Sequence, residues 1–200
     1  MRSFLSVGLL ACVALVAISC AQPPTEEINA AQAAVDAAKQ AEADIYASAT
    51  YQSATKALSD ARAKVDSDDY EGAKADAIRS KDMADRSVTE AGASKQRTRD
   101  DAQAIINRLS GGLADARAAV EGAPSGKGAD EDLGQLRASL SQTEATLGSA
   151  RGDLSSGKFK SALDQAKSAE MGLNGVQSSV AAAQKKIADY QEKHRPWYEL

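Results

Sequence analysis

LSDARAKVDSDDYEGAKADA, residues 58–77, is the stretch that decides the fold, because it recurs as LGSARGDLSSGKFKSALDQA at residues 147–166. Leu58, Ala61, Arg62, Ser67, Ala73 and Ala77 return unchanged as Leu147, Ala150, Arg151, Ser156, Ala162 and Ala166, an offset of 89 residues. Val65 and Tyr70 return in kind as Leu154 and Phe159. In each copy apolar residues at three- and four-residue spacing stop at a short run of Ser, Asp or Gly. They resume after an aromatic residue, with alanines at helical spacing. This reads as helix, tight turn, helix, with the aromatic closing the turn end of the hairpin. Alanine on the facing sides lets the two backbones approach closely.

Outward from these two hairpins the helical spacing continues. Ile28, Ala31, Val35, Ala38 and Ile45 mark a first helix, with Thr25 expected as its N-cap and Glu26 and Glu27 in the electropositive first turn. Tyr51, Ala54, Leu58, Ala61 and Val65 mark a second. Tyr70, Ala73, Ala77, Ala84 and Val88 begin a third, which no proline interrupts before Pro124. Ala102, Ile105, Leu109, Leu113, Ala116 and Val120 continue its spacing, so it is expected to reach Glu121, a length of roughly 78 Å. Gly92 and Gly111-Gly112 are its expected weak points. After a loop at Gly122–Gly128, Leu133, Leu136, Leu140, Thr143 and Leu147 mark the next helix. Phe159 through Tyr190 mark the last, and Pro196 ends it.

Composition agrees. Of 200 residues 42 are alanine, 43% are apolar and only 4% aromatic, too few β-branched and aromatic residues for a β-protein. The expected fold is all-α: elongated antiparallel hairpins forming two three-helix units that share one long helix, after an N-terminal signal helix. The segments are 1–19 signal peptide, 20–25 lipidated cysteine and tether, 26–95 and 96–193 the two helical units, and 194–200 a tail.

The N-terminus carries an address. Arg2 precedes an uncharged apolar run from Phe4 to Ile18, too short for a ~20-residue membrane span and right for a signal h-region. It closes at Ala17-Ile18-Ser19-Cys20, which resembles a bacterial lipobox, with Ala17 where leucine is commoner. The resemblance implies cleavage between Ser19 and Cys20, a diacylglycerol on the Cys20 sulfur and a palmitate-type acyl chain on its amine. Cys12 would leave with the signal peptide. Ala21 follows Cys20 where the enteric sorting scheme uses Asp to retain a lipoprotein in the inner membrane, so the expected place is the outer membrane, facing the periplasm. In a host with one membrane it would be the cell surface.

Residues 30–87 resemble the helical domain of bacterial lipoproteins known as domain-of-unknown-function family 4398. Tyr46, Tyr51 and Asp68-Asp69-Tyr70-Glu71-Gly72-Ala73 carry the resemblance, and the hairpin is similar to tetratricopeptide-like helix pairs. It covers less than a third of the chain. It implies an envelope lipoprotein and contributes no catalytic residue.

Chemistry-bearing constellations are few. His194, the one histidine, stands between Lys193 and Arg195 at a helix end, suited to complementing the helix dipole rather than binding a metal. With no histidine other than His194 between its two cations, and no free thiol once Cys12 is removed and Cys20 lipidated, Ser-His-Asp, Cys-His and His-based zinc sites are not expected. Asp66, Asp68, Asp69 and Glu71 miss the EF-hand spacing, since Tyr70 takes a ligand position, and read as helix caps. Gly126-Lys127 lacks the remaining elements of a phosphate loop. Lys95-Gln96-Arg97-Thr98-Arg99, followed by Asp100-Asp101, reads as a solvated helix face, and a net charge of −4 disfavours nucleic acid. Trp197 and Tyr198 lie beyond the last heptad, where three arrangements are open: folding back onto the bundle, covering a partner, or lying loose.

The expected protein is therefore no enzyme and has no cofactor and no metal. It is a lipid-anchored periplasmic structural or adaptor protein that meets the membrane through its lipid and an envelope protein through its helical faces. The alternative is a periplasmic module binding a peptide or small ligand in the groove between the two units. The sequence leaves the oligomeric state open.

Overall fold

The computed structural model describes residues 22–123 and 129–194. Of these, 91% are helical and none forms a strand, so the all-α class stands. The helices are α1 (Thr25–Gln40), α2 (Ala43–Tyr46), α3 (Ser48–Asp66), α4 (Tyr70–Glu121), α5 (Ala129–Ser155) and α6 (Phe159–Lys193). Helix α4 is unbroken over 52 residues, about 78 Å at 1.5 Å per residue.

The cross-helix bonds fix the directions. Lys74 pairs with Glu27 and Lys95 with Glu42, so α1 and α4 run parallel. Thr50 Oγ1 donates to Glu90 at 2.5 Å, Ser80 Oγ to the Ala54 carbonyl at 2.8 Å, and Lys64 pairs with Asp76 at 2.9 Å, so α3 runs antiparallel to α4. Beyond residue 100 the same α4 joins a second bundle. Arg117 pairs with Glu144 on the antiparallel α5, and Arg108 with Glu170 on the parallel α6. Two three-helix bundles thus stand end to end on one shared helix. The sequence boundary at 95/96 falls inside α4.

The two cores differ in substance. The first is built from Ala31, Val35, Ala38, Ala54, Leu58, Ala61, Ala77 and Ala84. The second uses Leu109, Leu113, Leu133, Leu136, Leu140, Leu147, Leu173 and Val176. Where the first core ends at Ala91 and the second begins at Ile106, the two apolar clusters do not merge. In the alanine seam, the buried hydroxyls of Ser80 and Ser87 each bond a backbone carbonyl, which offsets their desolvation.

The duplication extends to atomic detail. The turn residue with positive φ is Asp68 (60°) in the first copy and Gly157 (79°) in the second. Asp69 N–H donates to the Lys64 carbonyl at 2.9 Å, as Lys158 N–H does to that of Asp153. The ion pair of half-exposed Lys64 with buried Asp76 has as its counterpart the Asp153–Gln165 hydrogen bond, 2.8 Å. The first helices of the two units also correspond. Gln32 and Ser110, 78 residues apart, accept from Arg62 at 2.6 Å and from Arg151 at 2.5 Å. Ile28, Ala31, Val35 and Ala38 then match Ile106, Leu109, Leu113 and Ala116. The repeat is thus a whole three-helix unit, not a hairpin alone.

Several local expectations are corrected. Pro24, not Thr25, is the N-cap of α1; the Thr25 hydroxyl donates instead to the Pro23 carbonyl. The first apolar stripe does not reach Ile45, which is 49% exposed. Glu42 turns into the left-handed region (φ 59°) and rotates α2 out of the phase of α1. Gly92 and Gly111-Gly112 do not break α4. A Cβ on Gly112 would lie 2.9 Å from Leu173 Cδ2, so this glycine admits the α6 leucine rather than ending a helix. Asp69 caps α4 as expected, accepting from Gly72 N–H at 3.0 Å.

Candidate functional site

Of the sites expected from sequence, Ser19, Cys20, Trp197 and Tyr198 lie outside the described residues. His194 is the C-cap of α6, its ring stacked on Tyr190 with centroids 3.9 Å apart and Nδ1 2.9 Å from the Tyr190 carbonyl oxygen. The acidic turn works internally: Asp69 caps α4, and Asp68 accepts from the Tyr70 hydroxyl at 2.7 Å. That bond holds the Tyr70 proton and raises its pKa above the ordinary phenol value. Among the described residues no group of three or more His, Cys, Asp or Glu is placed to hold a metal, and no helix is long and apolar enough to cross a membrane.

The structure gathers polar chemistry where the two bundles meet. Lys95 stands on α4 between the two cores, half-buried. Its ammonium pairs with Glu42 and lies 5.9 Å from the ring centroids of both Tyr46 and Phe159. One cation thus bridges an aromatic from each unit, within the ~6 Å range over which a ring face attracts it. The Tyr46 hydroxyl accepts from Lys160 N–H at 3.3 Å and so satisfies a free donor in the first turn of α6. The basic run at residues 95–99 is therefore not a uniformly solvated face. Lys95 turns inward to the junction, and Arg97 and Arg99 are exposed.

On another side of α4 the end of α5 leaves an open groove of about 570 Å³. Arg99 and Arg151 supply its charge, and no carboxylate lines it. Gln103 and Asn107 supply side-chain amides, and Ile106 with Leu154 supply apolar wall. Ser110 holds Arg151 in place through the 2.5 Å bond to its Oγ. Arg99 has Asp100 as neighbour, at 3.5 Å.

Sequence reasoning missed this groove because its arginines are 52 positions apart and come from different helices. The available signal was the retained Arg62/Arg151 pair of the repeat. Compared with family models, curated proteins and solved structures, the chain gives no match.

Proposed function

We propose that this chain is a lipid-anchored structural or adaptor protein of the bacterial envelope, tethered through Cys20 to the outer membrane, facing the periplasm and without catalytic activity of its own. The observation that carries the reading is the placement of the two chain ends. Glu27 lies beside Lys74 near the start of α4, so the segment leading back to Cys20 leaves from one end of the rod. Helix α6 runs parallel to α4 and pairs Lys186 with Asp132 near the start of α5, so the segment leading to Trp197 and Tyr198 leaves from the other. The described chain begins at Gln22 beside one end of α4 and leaves α6 at His194 beyond the other, which suits a spacer that holds a lipid anchor and a contact surface apart. The lipobox-like Ala17-Ile18-Ser19-Cys20 and the resemblance to family 4398 support the address. Two or three acyl chains would anchor stably, where one anchors only marginally.

The test is Cys20→Ser. It is expected to release the protein from membranes into the soluble envelope fraction, and the native N-terminus is expected to carry the lipid mass on Cys20. An unmodified Cys20 in membrane-free protein would refute the anchor. In a double-membraned host, co-sedimentation with inner-membrane markers would refute the sorting. Crosslinking in intact cells, read by mass spectrometry, identifies the partner. The groove beside Arg99 and Arg151 favours a second reading, a module that binds a peptide or small ligand, but in a groove of the second unit rather than between the two units.

A further inference from the structure

We infer that the groove between the end of α5 and α4 is a binding site for an acidic polypeptide segment, held by Arg99 and Arg151. This deepens the adaptor reading by naming the chemistry of what is bound. It does not depend on the lipid anchor.

The duplication supplies an internal comparison. At the equivalent place in the first unit, Arg62 stands for Arg151, Val65 for Leu154 and Asp66 for Ser155, while Asn29 and Ile28 stand for Asn107 and Ile106. The position that matches Arg99 at the same offset of 78 residues is Ala21, which lies outside the described residues and carries no charge in the sequence. The first copy therefore sets one arginine against one aspartate, whereas the second sets two arginines against no lining carboxylate. Asp100 beside Arg99, at 3.5 Å, offsets part of that charge from outside the groove. In a chain of net charge −4, a groove with two guanidinium groups and no acid is a local reversal of sign that attracts anions.

The remaining lining selects among anions. Guanidinium forks match carboxylates in a two-bonded geometry. Gln103 Nε2 donates to Asn107 Oδ1 at 2.8 Å, which leaves the Gln103 carbonyl oxygen and the Asn107 amide hydrogens to meet a peptide backbone N–H and C=O. Ile106 and Leu154 give an apolar wall that suits an aliphatic side chain and has no use for a bare phosphate. The volume, about 570 Å³, is in the range of peptide and small-ligand sites. The occupant that uses all of these groups is an extended segment alternating glutamate or aspartate with aliphatic residues.

The experiment uses the full chain purified from membranes in detergent, titrated into a fluorescein-labelled peptide of alternating Glu and Leu while anisotropy is read. Saturable binding is expected, at least tenfold tighter than to the Gln-Leu counterpart. Arg99→Gln and Arg151→Gln are each expected to weaken it about tenfold, the loss of one charge-assisted hydrogen-bonded contact. Arg62→Gln, at the equivalent position of the first unit, is expected to leave it unchanged. Circular dichroism confirms the fold of each variant. Should Arg151→Gln lose helicity, Arg99→Gln carries the test alone. No saturable binding, equal weakening by Arg62→Gln, or displacement by tripolyphosphate as effective as by unlabelled Glu-Leu peptide would each overturn the inference. Cys20→Ser protein that stays on membranes but still binds the peptide would mark failure of the anchor alone, and Cys20→Ser protein that is released but does not bind would mark failure of this site alone.

Discussion

Gly157 and Asp68 occupy the same place in the two turns with φ of 79° and 60°, yet only glycine adopts that region without steric cost. Gly157→Ala is therefore expected to destabilise the second bundle by about 1–2 kcal/mol, read by urea denaturation; an unchanged midpoint would mean that the turn relaxes. Asp68 stands in the same conformation with its carboxylate taken by Tyr70, and aspartate tolerates this region better than most residues. At the same scale, two carboxylates tie the first bundle together. Bonding from Lys74 holds Glu27 below the ordinary carboxylate pKa, and bonds from Thr50 and then Arg86 do the same for Glu90. A carboxylate with a depressed folded-state pKa adds stability above its unfolded value, near pH 4, and loses it as the pH falls through the folded value. Amide protection of α1 and α3 is thus expected to fall between pH 5 and lower pH, measured by hydrogen exchange, and protection independent of pH across that window would refute it.

Among elements, α4 carries the clearest contrast, because adjacent glycines do different things. A Cβ on Gly111 would meet nothing within 4 Å, whereas one on Gly112 would lie 2.9 Å from Leu173 Cδ2. Gly111→Ala is expected to stabilise by about 0.5–1 kcal/mol through helix propensity. Gly112→Ala is expected to gain less or to lose stability, since Leu173 must shift. Thermal melts of the two variants decide it, and Gly112→Ala melting above Gly111→Ala would contradict the packing. The element pattern was largely legible in the sequence, because Ala and Leu at heptad spacing mark a buried stripe whatever their size. The correspondence of α1 with the second half of α4 was not. Its seam keeps Ile28 as Ile106 and Ala38 as Ala116 but exchanges Ala31 for Leu109. The connection between first and second helices also differs in length, so no single offset aligns the units. Nor was the break at Glu42 visible, since no Gly or Pro marks that left-handed residue. The groove was hidden for a different reason: Arg99 and Arg151 become neighbours only when α5 folds back along α4.

At the scale of the molecule, the two apolar clusters are held in series by α4 and by the Tyr46, Lys95 and Phe159 contacts. This makes the shared helix a shaft whose screw sense sets how one bundle is turned against the other. Each residue added between the cores, beside Lys95, would rotate the second bundle by ~100° about α4 and push it ~1.5 Å further along. One inserted residue would carry Phe159 away from Tyr46 and leave each core intact. Seven inserted residues would nearly restore the azimuth, within ~20°, while separating the bundles by about 10 Å. Pulsed electron-spin distances between labels on α3 and α6 are expected to follow that angular period rather than insertion length alone. The spacing between the two seams on α4 is thus a stored angle, one that sets which way the groove of the second bundle faces relative to the first.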